Sequence, residues 1–243
     1  MRIITVPCLQ DNYAYLIDTG SHCAIVDPSE PEPVLAALKR EGLSLTHILN
    51  THHHGDHTGG NRALKAAFGA QVVGPQGDAG RIPGIDIGVT EAEGWQWSGR
   101  KVQILEVPAH TRGAITFVIE GNAFTGDTLF VMGCGRLFEG DAATMHKSLA
   151  KLAALPDETK IWCGHEYAAG NGRFALTLEP GNASLQTRMK TLPRPSVPST
   201  MAEEKATNPF LRTASPEIRR TLGMEAADAV SVFAEIRSRK DRF

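Results

Sequence analysis

The stretch THHHGDHTGG, Thr51 through Gly60, places four histidines and one aspartate within six consecutive residues, His52 to His57. It continues directly from THILN, an apolar run with the composition of a buried strand. Imidazole is a common metal ligand, and crowding it where a strand stops does nothing for a core. On an extended backbone alternate side chains face the same way, so His52 and His54 can reach one ion while His53 points elsewhere. Gly55 lets the chain turn tightly, which brings Asp56 and His57 toward a second ion beside the first. A lone histidine is ordinarily a core or surface residue; this density, with a carboxylate inside it, reads as a metal site.

One short motif cannot complete two metal shells, so other segments must supply ligands. EVPAHTRG offers His110, FTGDTLF offers Asp127 and WCGHEY offers His165. Each follows an apolar run and borders a glycine or a small residue. Imidazole and carboxylate donors without a thiolate suit borderline cations such as zinc, iron or manganese, and disfavour a purely structural zinc. A carboxylate can hold two cations about 3.5–4 Å apart, and water shared by such a pair loses its proton near neutral pH. No GxSxG elbow and no Ser–His–Asp set competes with this reading.

The chain around these residues reads as short strands with interspersed helices. RIITV, YAYLID and CAIVD are β-prone. SEPEPVLAALKREG reads as a helix capped by Ser29, with Glu32 completing a capping box and Gly42 past its end. NRALKAAFG follows as a helix, QVVG as a strand, RIPGIDIGVTEAEGW as a loop and KVQILEVP as a strand. AITFVIE and NAFTGD form a hairpin expected to turn at Gly121-Asn122. DAATMHKSLAKLAALP is a helix with Asp141 as N-cap and Met145, Leu149 and Leu152 on one face. TKIWCGHEY is the last strand. Beyond Tyr167, GRFALTLEP, NASLQTRMKTL and MEAADAVSVFAEIRSRK are helical in pattern, with the Pro-rich LPRPSVPST among them. The expected organisation is a β-rich metal domain over residues 1–166 and a smaller helical domain over 167–243.

Bulk properties narrow the partners. With 243 residues, 42% hydrophobic, 21% charged and a formal net charge of −2, the chain offers no long-range attraction to nucleic acid or anionic membrane. No apolar run approaches the roughly 20 residues that cross a bilayer. MRIITVPCLQDNY meets Asp11 before any long apolar region develops, so it does not read as a signal peptide. Four scattered cysteines without a CxxC pair fit free thiols of a reducing cytoplasm. The expectation is a cytoplasmic monomer.

The pattern THHHGDH followed by His110, Asp127 and His165 resembles the metallo-β-lactamase superfamily. GCGRLFEG, CGHEY and the terminal RSRKDRF resemble, within it, the glyoxalase II (hydroxyacylglutathione hydrolase) family, over essentially the whole chain. The resemblance implies an α/β (α+β) fold, a four-layer αβ/βα sandwich with a C-terminal helical domain. It implies one metal on His52, His54 and His110, a second on Asp56, His57 and His165, and Asp127 as a bridge. It implies a thioester hydrolase that cleaves S-D-lactoylglutathione to glutathione and D-lactate, with Asp56 and Asp127 catalytic. It implies further that Arg136, Phe138, Tyr167, Arg237 and Lys240 meet the peptide. A thiol of pKa about 8.5–9 is a good leaving group, so little general-acid help is needed. Asp27, in IVDPS, is a candidate to orient a ligand histidine or else a simple turn residue.

Three positions depart from the family's pattern: Phe138 where some members carry Tyr, Arg136 where others carry Lys, and Ala114 where many show a second His. Rival readings on the same scaffold are a lactonase, a β-lactamase, an RNA-processing nuclease and a glutathione persulfide dioxygenase. A catalytically silent metal-binding module is the rival of another class. The nuclease would need a basic surface, the dioxygenase would use a single iron, and a silent module would be expected to have lost a ligand.

Overall fold

Alternation along the early strands sets the layers. The computed structural model describes the whole chain, Met1–Phe243, and opens with β1 (Arg2–Cys8) and β2 (Asn12–Asp18). In β2, Tyr13, Tyr15 and Ile17 enter one core while Ala14 and Leu16 enter another, as a period of two requires. The sheet continues through β3 (Cys23–Val26), β4 (His47–Leu49), β5 (Gln71–Pro75) and β6 (Ile87–Val89) in chain order. It is antiparallel as far as β3 and parallel from there. Helix α1 (Pro31–Glu41) connects β3 to β4, and the single turn α2 (Gly55–Thr58) with helix α3 (Asn61–Phe68) connects β4 to β5; a 3-10 turn over Gln76–Arg81 leads from β5 to β6.

A second sheet comprises β7 (Trp95–Trp97), β8 (Arg100–Glu106), β9 (Ile115–Ile119) and β10 (Asn122–Gly126). After a small hairpin, β11 (Leu129–Phe130) and β12 (Gly133–Cys134), the chain returns to it as β13 (Lys160–Cys163) and β14 (Ser199–Thr200). The spatial order is β14-β13-β10-β9-β8-β7, with β10 and β13 parallel. Helix α4 (Ala142–Ala153) precedes β13; α5 (Ala168–Leu178), α6 (Ala183–Lys190), α7 (Met201–Thr207), α8 (Pro216–Leu222) and α9 (Ala229–Asp241) follow it.

Three cores fill the gaps between four layers. Tyr15, Val26, Leu49, Phe117, Phe124 and Trp162 meet between the sheets. Val34, Leu38 and Leu64 of α1 and α3 cover the first sheet. Met145, Leu149 and Leu152 of α4 cover the second, sharing their core with Val232, Phe233 and Ile236 of α9. Burying a side chain of this size contributes about 1.5–3 kcal/mol. The fold is therefore the αβ/βα sandwich with C-terminal helices.

Parallel strands end on one edge, and ligand sites of open α/β sheets gather there. Asp27 follows β3, the histidine cluster follows β4, Asp127 follows β10 and the Gly164-His165 pair follows β13. Both sheets thus deliver their polar loops to a common rim.

Local details differ from expectation in four places. Helix α1 begins at Pro31 with Glu30 as N-cap, and Ser29 does not cap it. Pro31 has no N–H for Ser29 to accept from, and the Ser29 hydroxyl is buried without a partner. The segment expected to be all loop contains β6. The hairpin turns at Glu120-Gly121, both with positive φ (45° and 73°), as two-residue turns require, so Asn122 already pairs with Ile119. The Pro-rich link ends in β14 and hands over to α7 through a capping box of Thr200 and Glu203.

Candidate metal centre

His52 and His54 leave the end of β4 and turn inward together. His52 Nε2 lies 3.2 Å from His54 Nδ1, which lies 3.1 Å from His110 Nε2. A tetrahedral ion with metal–nitrogen bonds of about 2.0–2.1 Å separates its donors by about 3.3 Å. Three imidazole nitrogens aimed at one another over that spacing fit such an ion. His53 faces away, its Nδ1 2.9 Å from Asp78 Oδ2.

The helical turn α2 carries Asp56 and His57 to the neighbouring position. His57 Nε2 stands 3.3 Å from His165 Nε2, and Asp56 Oδ2 lies 3.6 Å and 3.4 Å from those two nitrogens. Asp127 sits between the two groups: Oδ2 is 3.4 Å from His110 Nε2 and 3.3 Å from His165 Nε2, and Oδ1 is 3.3 Å from His57 Nε2. That Oδ1 is buried with no hydrogen bond. A buried carboxylate oxygen left so among imidazoles is costly unless a cation answers it. The donor set fits a dinuclear site with Asp127 shared.

The far nitrogens of four of these rings are held by the protein, which fixes each tautomer. His57 Nδ1 donates to Asp27 Oδ2 (3.1 Å), His110 Nδ1 to the carbonyl of Arg136 (3.0 Å) and His165 Nδ1 to Asp11 Oδ1 (2.8 Å). His52 Nδ1 donates to Thr51 Oγ1 (3.0 Å), whose own hydrogen goes to Asp27 Oδ2 (2.6 Å). Asp27 also accepts from the Thr51 amide (2.8 Å) and is buried. Of the two readings open for Asp27 in the sequence, the structure selects the ring-orienting one.

The sequence gives no sign of Asp11 or Asn12. Asn12 Nδ2 donates to both Asp56 O and Asp56 Oδ2 at 3.1 Å, and the Tyr13 amide bonds to Gly164 O. The β1–β2 turn therefore braces the second donor set. Gly164 is needed there because a Cβ would lie 2.4 Å from Asp127 Oδ1 and 2.6 Å from His57 Cε1.

Electrostatically the sets differ. Burial pushes His52 well below the ordinary histidine range and lowers His54 and His110. Burial also opposes charge on His57 and His165, but the carboxylates prevail. Asp127 and Asp27 hold His57 well above its usual value, and hydrogen bonds to Asp127 and Asp56 raise His165 to about 10. Asp56 is lowered chiefly by His165, and Asp127 stays ionised against its burial because His57 and His165 face it.

A cleft of about 630 Å³ opens from the donors toward the C-terminal helices. Arg136, Phe138, Tyr167, Arg237 and Lys240 all line it. Tyr167 stacks on the His165 ring at 4.8 Å, and the exposed Phe138 ring stands 5.2 Å from His110. The cations differ in freedom. Arg237 is 6% exposed, donating through Nε and Nη2 to Asp241 and through Nη1 to the carbonyl of Cys134. Lys240 has no carboxylate partner and lies between the rings of Phe174 and Phe243, 5.5 and 5.3 Å from their centroids. Burial and then Arg237, Arg173 and Arg136 lower its pKa. Arg136 is exposed, 3.9 Å from Asp241.

Comparison with known proteins places this arrangement. Residues 8–165 match the model of the metallo-beta-lactamase superfamily, and residues 166–243 match that of the hydroxyacylglutathione hydrolase C-terminus. The chain is 52% identical to the hydroxyacylglutathione hydrolase of Methylococcus capsulatus, over 100% of this chain and 99% of that one. It is 48% identical to that of Ruegeria pomeroyi, with the same coverage. Among solved structures, ETHE1 from Myxococcus xanthus superposes with a TM-score of 0.69 at 25% identity, over 99% of this chain and 98% of that one. TTHA1623 in a di-iron-bound form superposes at 0.64 and 28%, over 87% and 100%. Fold, paired donor sets and full-length similarity agree: this chain belongs to the hydroxyacylglutathione hydrolase family of the metallo-β-lactamase superfamily.

Proposed function

We propose that the protein hydrolyses thioesters of glutathione with small 2-hydroxy acids, S-D-lactoylglutathione foremost, releasing glutathione and D-lactate. The observation that carries this reading is one cleft joining two kinds of wall: converging imidazole and carboxylate donors at its floor, and a cationic, aromatic wall built by Arg136, Tyr167 and Lys240. Glutathione brings two carboxylates and a short peptide, which that wall complements. The names of the full-length relatives support the same substrate.

When bound, two divalent cations supply Lewis-acid charge and make water a nucleophile at neutral pH. Zinc suits the all-nitrogen-and-oxygen donors best, with iron and manganese as alternatives. His52, His54 and His110 would hold one ion, Asp56, His57 and His165 the other, and Asp127 both. The reaction forms a C–O bond from water to the thioester carbon and breaks the C–S bond, the thiolate leaving as glutathione. Asp56, whose carboxylate is 41% exposed toward the cleft and steadied by Asn12, would accept a hydrogen bond from the attacking water and so aim its lone pair. Lys240 receives a peptide carboxylate directly. Arg237, committed to Asp241 and Cys134, contributes a remaining N–H and holds the end of α9 in place. Phe138 offers the peptide a ring without a hydroxyl. In this reading residues 1–166 do the chemistry and lend Arg136 and Phe138 to the peptide wall, and 167–243 supply the rest of that wall within a monomer. No helix is long and apolar enough to cross a membrane, and a cytoplasmic enzyme is the expectation.

Purified protein should contain about two metals per chain and consume S-lactoylglutathione, followed by loss of thioester absorbance. One metal per chain with oxygen uptake on glutathione persulfide would replace this reading with the dioxygenase.

A further inference from the structure

Glu204 is a fully buried carboxylate that neither the donor sets nor the peptide wall uses. It sits on α7, and its oxygens are saturated. Oε1 accepts from Arg188 Nη2 (2.7 Å) and Ser199 Oγ (2.5 Å); Oε2 accepts from the Met132 amide (2.8 Å) and Asn208 Nδ2 (3.0 Å). Asn208 Nδ2 donates in turn to the carbonyls of Phe130 (3.2 Å) and Gly133 (3.0 Å). All three backbone groups belong to the β11–β12 hairpin, whose tip residue Met132 has φ +56°. That left-handed conformation is unfavourable for a side-chain-bearing residue and persists where the surroundings enforce it.

The hairpin matters because of what it carries. Phe130 packs its ring against His165 and Tyr167 (5.9 and 5.3 Å), and Cys134 offers the carbonyl that holds Arg237. Phe130 and Cys134 both line the cleft. A two-stranded hairpin of this length has little stability of its own, so its position is set by what grips it.

We infer that Glu204 and Asn208 are positioning residues for substrate binding, gripping the β11–β12 backbone so that Phe130 and the Cys134–Arg237 contact shape the peptide side of the cleft. The inference rests on the glutathione-thioester reading. Neither residue touches the cleft; they act through the hairpin. The grip bears on the part of the substrate remote from the reacting carbon. Its loss therefore removes binding shared by ground and transition states, which raises KM more than it lowers kcat.

The test is steady-state kinetics of the metal-loaded full chain on S-lactoylglutathione, with product inhibition by glutathione as a direct binding readout. Asn208→Ala should raise KM and the glutathione inhibition constant together, on the order of tenfold, with kcat changed less than about threefold and metal content unchanged. Glu204→Gln, which keeps a carbonyl to accept the Met132 amide, should fall between wild type and Asn208→Ala, and serves if the alanine variant folds poorly. A structural role alone would reduce the active fraction, lowering apparent kcat at constant KM; that result in either soluble variant overturns the proposal. Wild-type protein inactive on the thioester would overturn the functional reading instead, so the two failures are distinct.

Discussion

Replacing Asp27 separates the structural and metal-holding duties of one carboxylate. Asp27 accepts three buried hydrogen bonds, from the Thr51 amide, the Thr51 hydroxyl and His57 Nδ1. Asp27→Ala strands all three donors, and each unsatisfied buried group costs about 1–3 kcal/mol. The sum is about 3–9 kcal/mol where no water fills the gap, a large part of an ordinary domain's stability. Asp27→Asn is the more telling change. Its carbonyl can still accept from the Thr51 amide, but its NH₂ replaces Oδ2 and confronts the His57 Nδ1–H. The Thr51 hydroxyl can rotate away, whereas His57 must move its proton to Nε2, the nitrogen that faces His165 and Asp127. The asparagine variant should therefore melt near wild type yet lose about 10–100-fold in affinity for the second ion. Thermal unfolding together with chelator competition and metal analysis reads both quantities. An asparagine variant that keeps two tightly held metals would refute the tautomer reasoning.

Asp127→Ala should abolish turnover and leave at most one ion per chain, because both donor sets lose their common oxygen; normal activity with two ions would contradict the shared role. Lys240→Ala should raise KM for S-lactoylglutathione about tenfold or more, the worth of one charge-assisted hydrogen bond, with kcat preserved; a fall in kcat alone would argue against a carboxylate anchor. Metal loading should depend on pH unequally. His57 and His165 are raised, the latter to about 10, so an ion bound there would have to displace protons at neutral pH and should bind more tightly as pH rises, about tenfold per unit for each proton released. His52, His54 and His110 are lowered, so their ion displaces none above about pH 6.5. Calorimetry in two buffers of different ionisation enthalpy distinguishes the equivalents, and equal proton release by both would count against the assignment.

The legible parts of this molecule are those with local signatures. The layers follow from strand alternation such as Tyr13, Tyr15 and Ile17 against Ala14 and Leu16, and from helices with clear faces such as Met145, Leu149 and Leu152. The imidazoles and carboxylates that converge could be picked out because metal chemistry restricts candidates to few residue types, each placed where an apolar run stops. Residues that act by reaching across the chain left no such trace. Asp11 and His165 are separated by 154 positions, Met132 and Glu204 by 72, and nothing periodic ties either pair together. Helices α7 and α8, seven residues each, are too short for a pattern to accumulate. Ser29 misled because the capping signature ignores the donor that Pro31 lacks.

The brace between the β1–β2 turn and the loop after β13 bears on how the protein is made. Asp11, Asn12 and Tyr13 leave the ribosome early, whereas Gly164 and His165 emerge only after two thirds of the chain has been synthesised. A nascent chain can present His52, His54 and His57 long before their counterparts exist, exposing imidazoles to whatever ions the surroundings offer. The second donor set is thus complete only once β13 has docked, and an ion captured earlier would have to remain exchangeable until then.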